Sequence, residues 1–205
     1  MKNISTSSIH DVRFYTWIDP SSSGNIAYVS VVTLCITKND SVIIIGMDEC
    51  ESGSAIDQIP FFRNYFELFA NNDIPHILFV ENNFSGIGVE FYFTLGKKSV
   101  PQLELYCMEE TKQGARTDFH KHEAIHKASF DFYKHKVYIA DEFKTNTSTI
   151  LDKFMKQSSI YNLKNKNKYE LVISYIMMSY YARRYIVEKE SIGTYNTLGV
   201  QDEQD

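Results

Sequence analysis

Apolar and polar positions along this chain follow two rhythms, and the switch between them comes early. Residues 13–19, 25–40 and 41–50 are apolar, β-branched and aromatic runs joined by turn residues, the second turn being Lys38-Asn39-Asp40-Ser41. They predict three successive strands, hence an antiparallel meander. From residue 54 the period changes. Ile59, Phe62, Phe66 and Phe69 recur every three or four positions, which predicts a helix over 54–73 with Pro60 in its first turn. An apolar run over 76–82 then reads as a fourth strand covered on both faces, 84–98 as a second helix and 102–108 as a fifth strand. A third helix is predicted over 116–136, with Ile125, Ala128, Phe132 and Tyr133 as its buried side. A short extended piece (136–141) and a Ser/Thr-capped helix (147–159) follow. Residues 169–187 are apolar nearly all round, which predicts a long, deeply buried helix. Residues 188–205 are polar and acidic and read as a flexible tail, leaving one domain over 1–187.

The resulting order, β-β-β-α-β-α-β-α, is that of the RNase H-like arrangement. The fold expected is α/β: a mixed five-stranded sheet in the order 3-2-1-4-5, with strand 2 antiparallel and helices on both faces. In that topology the third strand is an edge, so Asp48, Glu49 and Glu51, which follow it, are expected in solvent.

Composition narrows the class. With 205 residues, 43% hydrophobic and 14% aromatic, the chain can bury a sizeable core. No apolar run approaches the roughly 18 residues of a membrane span, and the first residues lack the apolar centre of a secretory signal. The three cysteines form no CxxC pair, which fits a reducing compartment. The net charge of −5 is unevenly spread: 14 of the 21 Lys and Arg residues fall within residues 97–168. An acidic centre beside a basic shoulder suits a metal site next to a phosphate-binding surface. Ordinary solvated helix faces would give the same distribution.

The candidate chemistry lies in carboxylates at element ends. Asp19 ends the first predicted strand and Glu81 the fourth. If those strands are parallel neighbours, both acids project at one sheet edge, where α/β folds collect ligands. Two carboxylates that close repel unless a proton or a cation separates them, and oxygen-only donors favour Mg²⁺ or Mn²⁺. Glu170 heads the last helix with no Lys or Arg one turn on, at Ser174, and is the candidate third ligand. Each acid also has a local explanation: Asp before Pro suits a turn, Glu81-Asn82-Asn83 a helix cap, and Glu170 a helix N-terminus.

With those residues in view, "YTWIDPSSSGN", "ILFVENNFSG" and "KNKNKYELVISYIMMSYYA" resemble, in order, the three acidic motifs of the C-terminal nuclease domain of the large terminase subunit, herpesvirus type. "ARTDFHKHEAIHKASFDFYKHKVYIADEF" resembles that family's basic helix and following strand, so the likeness spans roughly residues 13–185. The family more usually has aspartate, often beside a second acid, where this chain has Glu170. The resemblance implies a metal-dependent endonuclease that cuts concatemeric viral DNA during genome packaging by two-metal phosphodiester hydrolysis. It implies Asp19, Glu81 and Glu170 as catalytic metal ligands and two divalent cations, Mg²⁺ or Mn²⁺, as cofactors. It further implies double-stranded DNA as substrate, with Arg116, Lys121 and Lys127 on its backbone. An ATPase motor domain and other packaging subunits or a portal are the implied partners, and the host-cell nucleus is the implied place of action. No GxxxxGK[ST] phosphate loop occurs in the chain. A noncatalytic RNase H-like module binding DNA or partners, or a junction-resolvase or transposase type of nuclease, are the alternatives.

Two further signals carry less. His122 and His126 share a helix face, but no third ligand is evident and a surface helix is expected. "KNKNK" reads as a solvated loop or a DNA contact.

Overall fold

The computed structural model describes residues 3–4, 13–20, 27–52, 55–80, 89–106, 118–161 and 169–198. A two-residue strand β1 (Asn3–Ile4) precedes the meander of β2 (Phe14–Asp19), β3 (Ala27–Ile36) and β4 (Val42–Ser52), in which β3 is antiparallel to both neighbours. The turn between β3 and β4 is the predicted one. The Thr37 amide donates to the Ser41 carbonyl and the Asp40 amide to the Thr37 carbonyl, both at 2.9 Å. Asp40 takes a φ of 58°, a left-handed conformation that aspartate tolerates better than most residues. After α1 (Ala55–Glu67), β5 (His76–Val80) lies parallel to β2. After α2 (Val89–Ser99), β6 (Leu103–Leu105) lies parallel to β5. The run β4-β3-β2-β5-β6 is therefore the predicted 3-2-1-4-5.

The sheet extends further than the sequence predicted. Following α3 (Asp118–Tyr133), the segment read as a short extended piece is a full strand, β7 (Val137–Lys144), parallel to β4, with β1 parallel to β7 beyond it. Among the described residues, seven strands run in the order β1-β7-β4-β3-β2-β5-β6. β4 is thus an inner strand, and the expectation of solvated acids after it is overturned: Asp48 is fully buried and the Glu49 side chain only 2% exposed, while Glu51 is exposed.

Helices α4 (Ile150–Ile160) and α5 (Glu170–Leu198) are the last described elements. One apolar core lies between the sheet and α3, α4 and α5, and the second between the sheet and α1 and α2. Trp17 stacks on Tyr181 at 5.3 Å and Tyr15 meets Tyr185 at 5.9 Å, so α5 runs antiparallel to β2. The helix continues through Leu198, past residue 187 where a tail was expected to begin. Three local readings change. Tyr133 is 76% exposed, because α3 meets the core through Ala124, Ala128 and Asp131, and Tyr133 lies about 200° round the helix from Asp131. Pro60 sits in the second turn of α1 rather than the first. Thr149 stands at the N-cap of α4 without a side-chain capping bond.

Both cores contain a polar tie. In the α1–α2 layer, the Tyr65 hydroxyl donates to Thr33 Oγ1 at 2.8 Å. Thr33 Oγ1 meets Thr16 Oγ1, and Thr16 Oγ1 meets His76 Nε2, each at 2.6 Å. Burial pushes His76 down to about 3, so the ring is neutral and can accept. The chain joins α1, β3, β2 and β5 at one level. On the opposite layer, Arg183 Nε donates to Asp40 Oδ1 at 2.6 Å, Arg183 Nη2 lies 2.8 Å from the buried Asp131, and Lys127 Nζ donates to Asp40 Oδ2 at 2.7 Å. This cluster pins the β3–β4 turn to α3 and α5. Burial would raise the Asp40 carboxyl, but Lys127 and Arg183 outweigh it and hold it below the usual carboxylate range.

Two measurements check this packing. A Cβ at Gly96 would stand 2.6 Å from a Leu103 methyl and 2.8 Å from the Phe66 ring, so Gly96→Ala is expected to destabilise by about 1–3 kcal/mol in thermal unfolding. Asp40 has a lowered folded pKa, so its stabilisation is complete above the ordinary aspartate value and is lost as pH falls through the lower folded one. Asp40→Asn is expected to unfold a few degrees lower at neutral pH, with the gap closing as pH falls below about 4.

Candidate metal centre

The site grows from one cross-strand row. Asp19 on β2 pairs with Ser30 on β3, and Ser30 pairs with Glu49 on β4. Directly paired residues point to the same sheet face. The Ser30 side chain identifies that face: its Oγ lies 2.7 Å from Ser174 Oγ and donates to the Glu170 carbonyl oxygen at 3.3 Å, both on α5. Trp17, two residues before Asp19, stacks on α5 from the same face. Asp19 therefore projects toward the start of α5, from the C-terminal end of its strand.

Glu170 is the first residue of α5, where an acid is favoured by the helix dipole. Asp19 and Glu170 are both partly exposed, so a hydrated ion can reach them. Glu81 lies outside the described residues. The residue before it, Val80, is in register with Ile18, the residue before Asp19, on a parallel strand. Asp19 and the first residue of α5, Glu170, thus lie at one end of one sheet face, and oxygen-only donors of this kind suit a hard divalent cation. Among the described residues, no group of three or more His, Cys, Asp or Glu is placed to hold a metal. Asp19 and Glu170 alone would form an open pair of ligands rather than a closed cage.

Other acids fall elsewhere. Asp131 is locked to Arg183 at the β3–β4 turn end and does not approach Asp19. Asp48 points to the opposite face from Glu49, and its Oδ2 accepts from the Asn146 amide at 2.7 Å. Glu49 shares the face and row of Asp19. Burial raises its carboxyl, opposed by Lys153, whose Nζ lies 2.5 Å away.

Of the basic residues expected on DNA, Arg116 lies outside the described residues. Lys121 is partly exposed near the start of α3. Lys127 is bound to Asp40 in the turn beyond β3, roughly 20 Å along that strand from the Asp19 row at about 3.3 Å per residue. It serves the ion-pair cluster at the far end of the sheet and is not brought to the acidic end. His122 and His126 are exposed on α3, as a surface helix requires. The sequence reading missed Glu49, Ser30 and Lys153. Alternation along β4 would place Glu49 on the face of Met47, but the register shifts near Gly46, which hides which face either joins.

No family model and no curated protein sequence matches the chain. Solved structures do. The human cytomegalovirus terminase nuclease domain, manganese-soaked and inhibitor-bound, superposes with a TM-score of 0.72 at 13% identity, covering 89% of each chain. Its manganese-soaked form without inhibitor gives 0.66 at 14% identity, covering 88% of this chain and 89% of that one. A third structure of the domain gives 0.63 at 13% identity, over 87% and 88%. The chain has the RNase H-like fold of that nuclease domain.

If Asp19 and Glu170 are ligands, Mn²⁺ should raise the unfolding temperature of the wild-type chain in a concentration-dependent way. Asp19→Asn and Glu170→Gln should each shrink that rise while unfolding near the wild-type temperature in EDTA, as differential scanning fluorimetry would read directly.

Proposed function

We propose that this chain is a metal-dependent DNA endonuclease domain of the kind found in viral DNA-packaging terminases, cutting concatemeric genome DNA. One observation carries the reading: Asp19 and the start of α5 at Glu170 meet on one face of an RNase H-like sheet, at the C-terminal strand ends. The likeness to a manganese-soaked terminase nuclease domain supports both the fold assignment and the choice of cation.

Asp19 and Glu170, with Glu81 as third ligand, would hold the divalent ions, two of them if Glu81 closes the cage. Bound there, Mg²⁺ or Mn²⁺ would supply an activated water and neutralise charge on the scissile phosphate. The chain's own part is positional. The β2 strand end and the Ser30-anchored N-terminus of α5 would hold the two carboxylates in place, the preorganisation from which electrostatic catalysis gains most. Arg116 and Lys121 would grip the DNA backbone without reading sequence. A motor domain, a portal or other packaging subunits would present the DNA, and the host nucleus would be the place of action.

The test is cleavage of supercoiled plasmid. Wild type with Mn²⁺ is expected to nick and linearise it, EDTA to stop the reaction, and Asp19→Asn to slow it roughly a hundredfold or more, the scale of losing one preorganised contact to the transition state. An intact plasmid at every Mn²⁺ concentration, with DNA still bound, would leave a noncatalytic DNA-binding module. Preference for a four-way junction over linear duplex would point to a resolvase.

A further inference from the structure

Lys153 reaches the acidic end from α4, and nothing in the proposed chemistry uses it. Its ammonium lies 2.5 Å from Glu49 and 4.7 Å from the centre of the Tyr28 ring. Glu49 is in the Asp19–Ser30 row, two strands from Asp19, which puts their backbones about 10 Å apart at the usual strand spacing. Tyr28 lies two residues beyond Ser30 toward the open end of β3 and on the same face. The ammonium therefore stands at the mouth of the acidic end.

The two partners differ in exposure in a telling way. The Glu49 side chain is 2% exposed and the Lys153 side chain 44%. Leaving the ammonium half-exposed spares most of its desolvation cost, as lysines that reach the surface commonly do, and keeps it open to a second anion. Here the carboxylate is buried on the helix-covered face of the sheet, and the ammonium reaches it from a half-exposed side chain on α4. An ammonium has three donors. Glu49 takes one and the Tyr28 face steadies the cation from one side, which leaves donor capacity directed outward. A fixed, partly hydrated cation at the rim of a carboxylate site suits a phosphodiester oxygen.

We propose that Lys153 contacts a backbone phosphate of the DNA entering the acidic end, and that Glu49 only parks its ammonium at the rim until the phosphate takes over. This rests on the nuclease reading for the identity of the ligand, but its test does not require cleavage.

The two halves of the pair should act oppositely. Binding of a short duplex is measured by fluorescence anisotropy in EDTA across a salt series, for wild type, Lys153→Gln, Lys153→Arg, Glu49→Gln and the Glu49→Gln/Lys153→Gln double variant, each with its unfolding temperature. Lys153→Gln should weaken binding several-fold and flatten the dependence of log affinity on log salt by about one unit. Lys153→Arg should keep the slope. Glu49→Gln should bind as tightly as wild type or tighter, because a competing negative charge is gone. The double variant should regain the unfolding temperature lost by Lys153→Gln, since no buried carboxylate is stranded, yet still bind weakly. Lys153→Gln and Glu49→Gln weakening DNA alike, or a slope unchanged in Lys153→Gln, would show a purely structural pair and overturn the inference. Wild-type cleavage abolished by Asp19→Asn alongside that result leaves the nuclease reading standing and removes only Lys153. Wild type that binds with the Lys153-dependent slope but never cuts removes the nuclease reading and leaves the phosphate contact.

Discussion

A buried hydroxyl pair, Ser30 Oγ against Ser174 Oγ at 2.7 Å, sets where α5 begins on the sheet. Both residues are fully buried, so either hydroxyl left alone would lose about 1–3 kcal/mol to desolvation, and a one-residue slide of α5 would separate them. The same Ser30 hydroxyl reaches the Glu170 carbonyl. Because Ser30 pairs with Asp19, the helix start is held at the level of the strand end. The stacked Trp17 and Tyr181 add a second clamp one turn and more further along, worth about 0.5–1.5 kcal/mol beyond its buried area. The position of Glu170 relative to Asp19 is thus a consequence of core packing.

The other layer fixes the third side of the arrangement. The Tyr65–Thr33–Thr16–His76 chain ties β5 to β2 and β3 at one height. A slip of β5 by two residues would break the His76–Thr16 link, and by one residue would turn His76 to the wrong face. With β5 held, the chain leaves that strand at Val80 beside Ile18. Acids ending β2 and heading α5, and the exit of β5, are therefore brought to one place by two independent sets of buried polar contacts. At the other end of the sheet, the Asp40–Arg183–Lys127–Asp131 cluster holds the middle of α5. Function at one end and anchoring at the other explain why Lys127, basic and on the expected helix, is not at the carboxylates.

How much of this was legible beforehand follows from which signals are local. The switch from period two to period three or four is local, and it predicted the meander and the five central strands, whose order came from the element succession shared with RNase H-like folds. Asp19 and Glu170 were visible because a charge interrupts an apolar run, which little but a terminus or a site explains. β7 was underestimated because its second half, Asp141-Glu142-Phe143-Lys144, reads as polar, and only pairing with β4 makes it a strand. That one omission turned β4 into an apparent edge and sent Glu49 to solvent. Tyr133 was misplaced by a helix phase that Ala124 and Asp131 set, and a buried aspartate is invisible until Arg183, 52 positions on, is seen beside it. Lys153 is one of 14 basic residues in its region, and only the fold distinguishes it.

The central claim is that Asp19 and Glu170 share a divalent cation. Anomalous diffraction from crystals soaked in Mn²⁺ tests it most directly. The account predicts a manganese peak within about 2.0–2.5 Å of carboxylate oxygens from both residues. A well-ordered structure with Asp19 and Glu170 bound to no ion, or with the manganese held at another cluster, would contradict it.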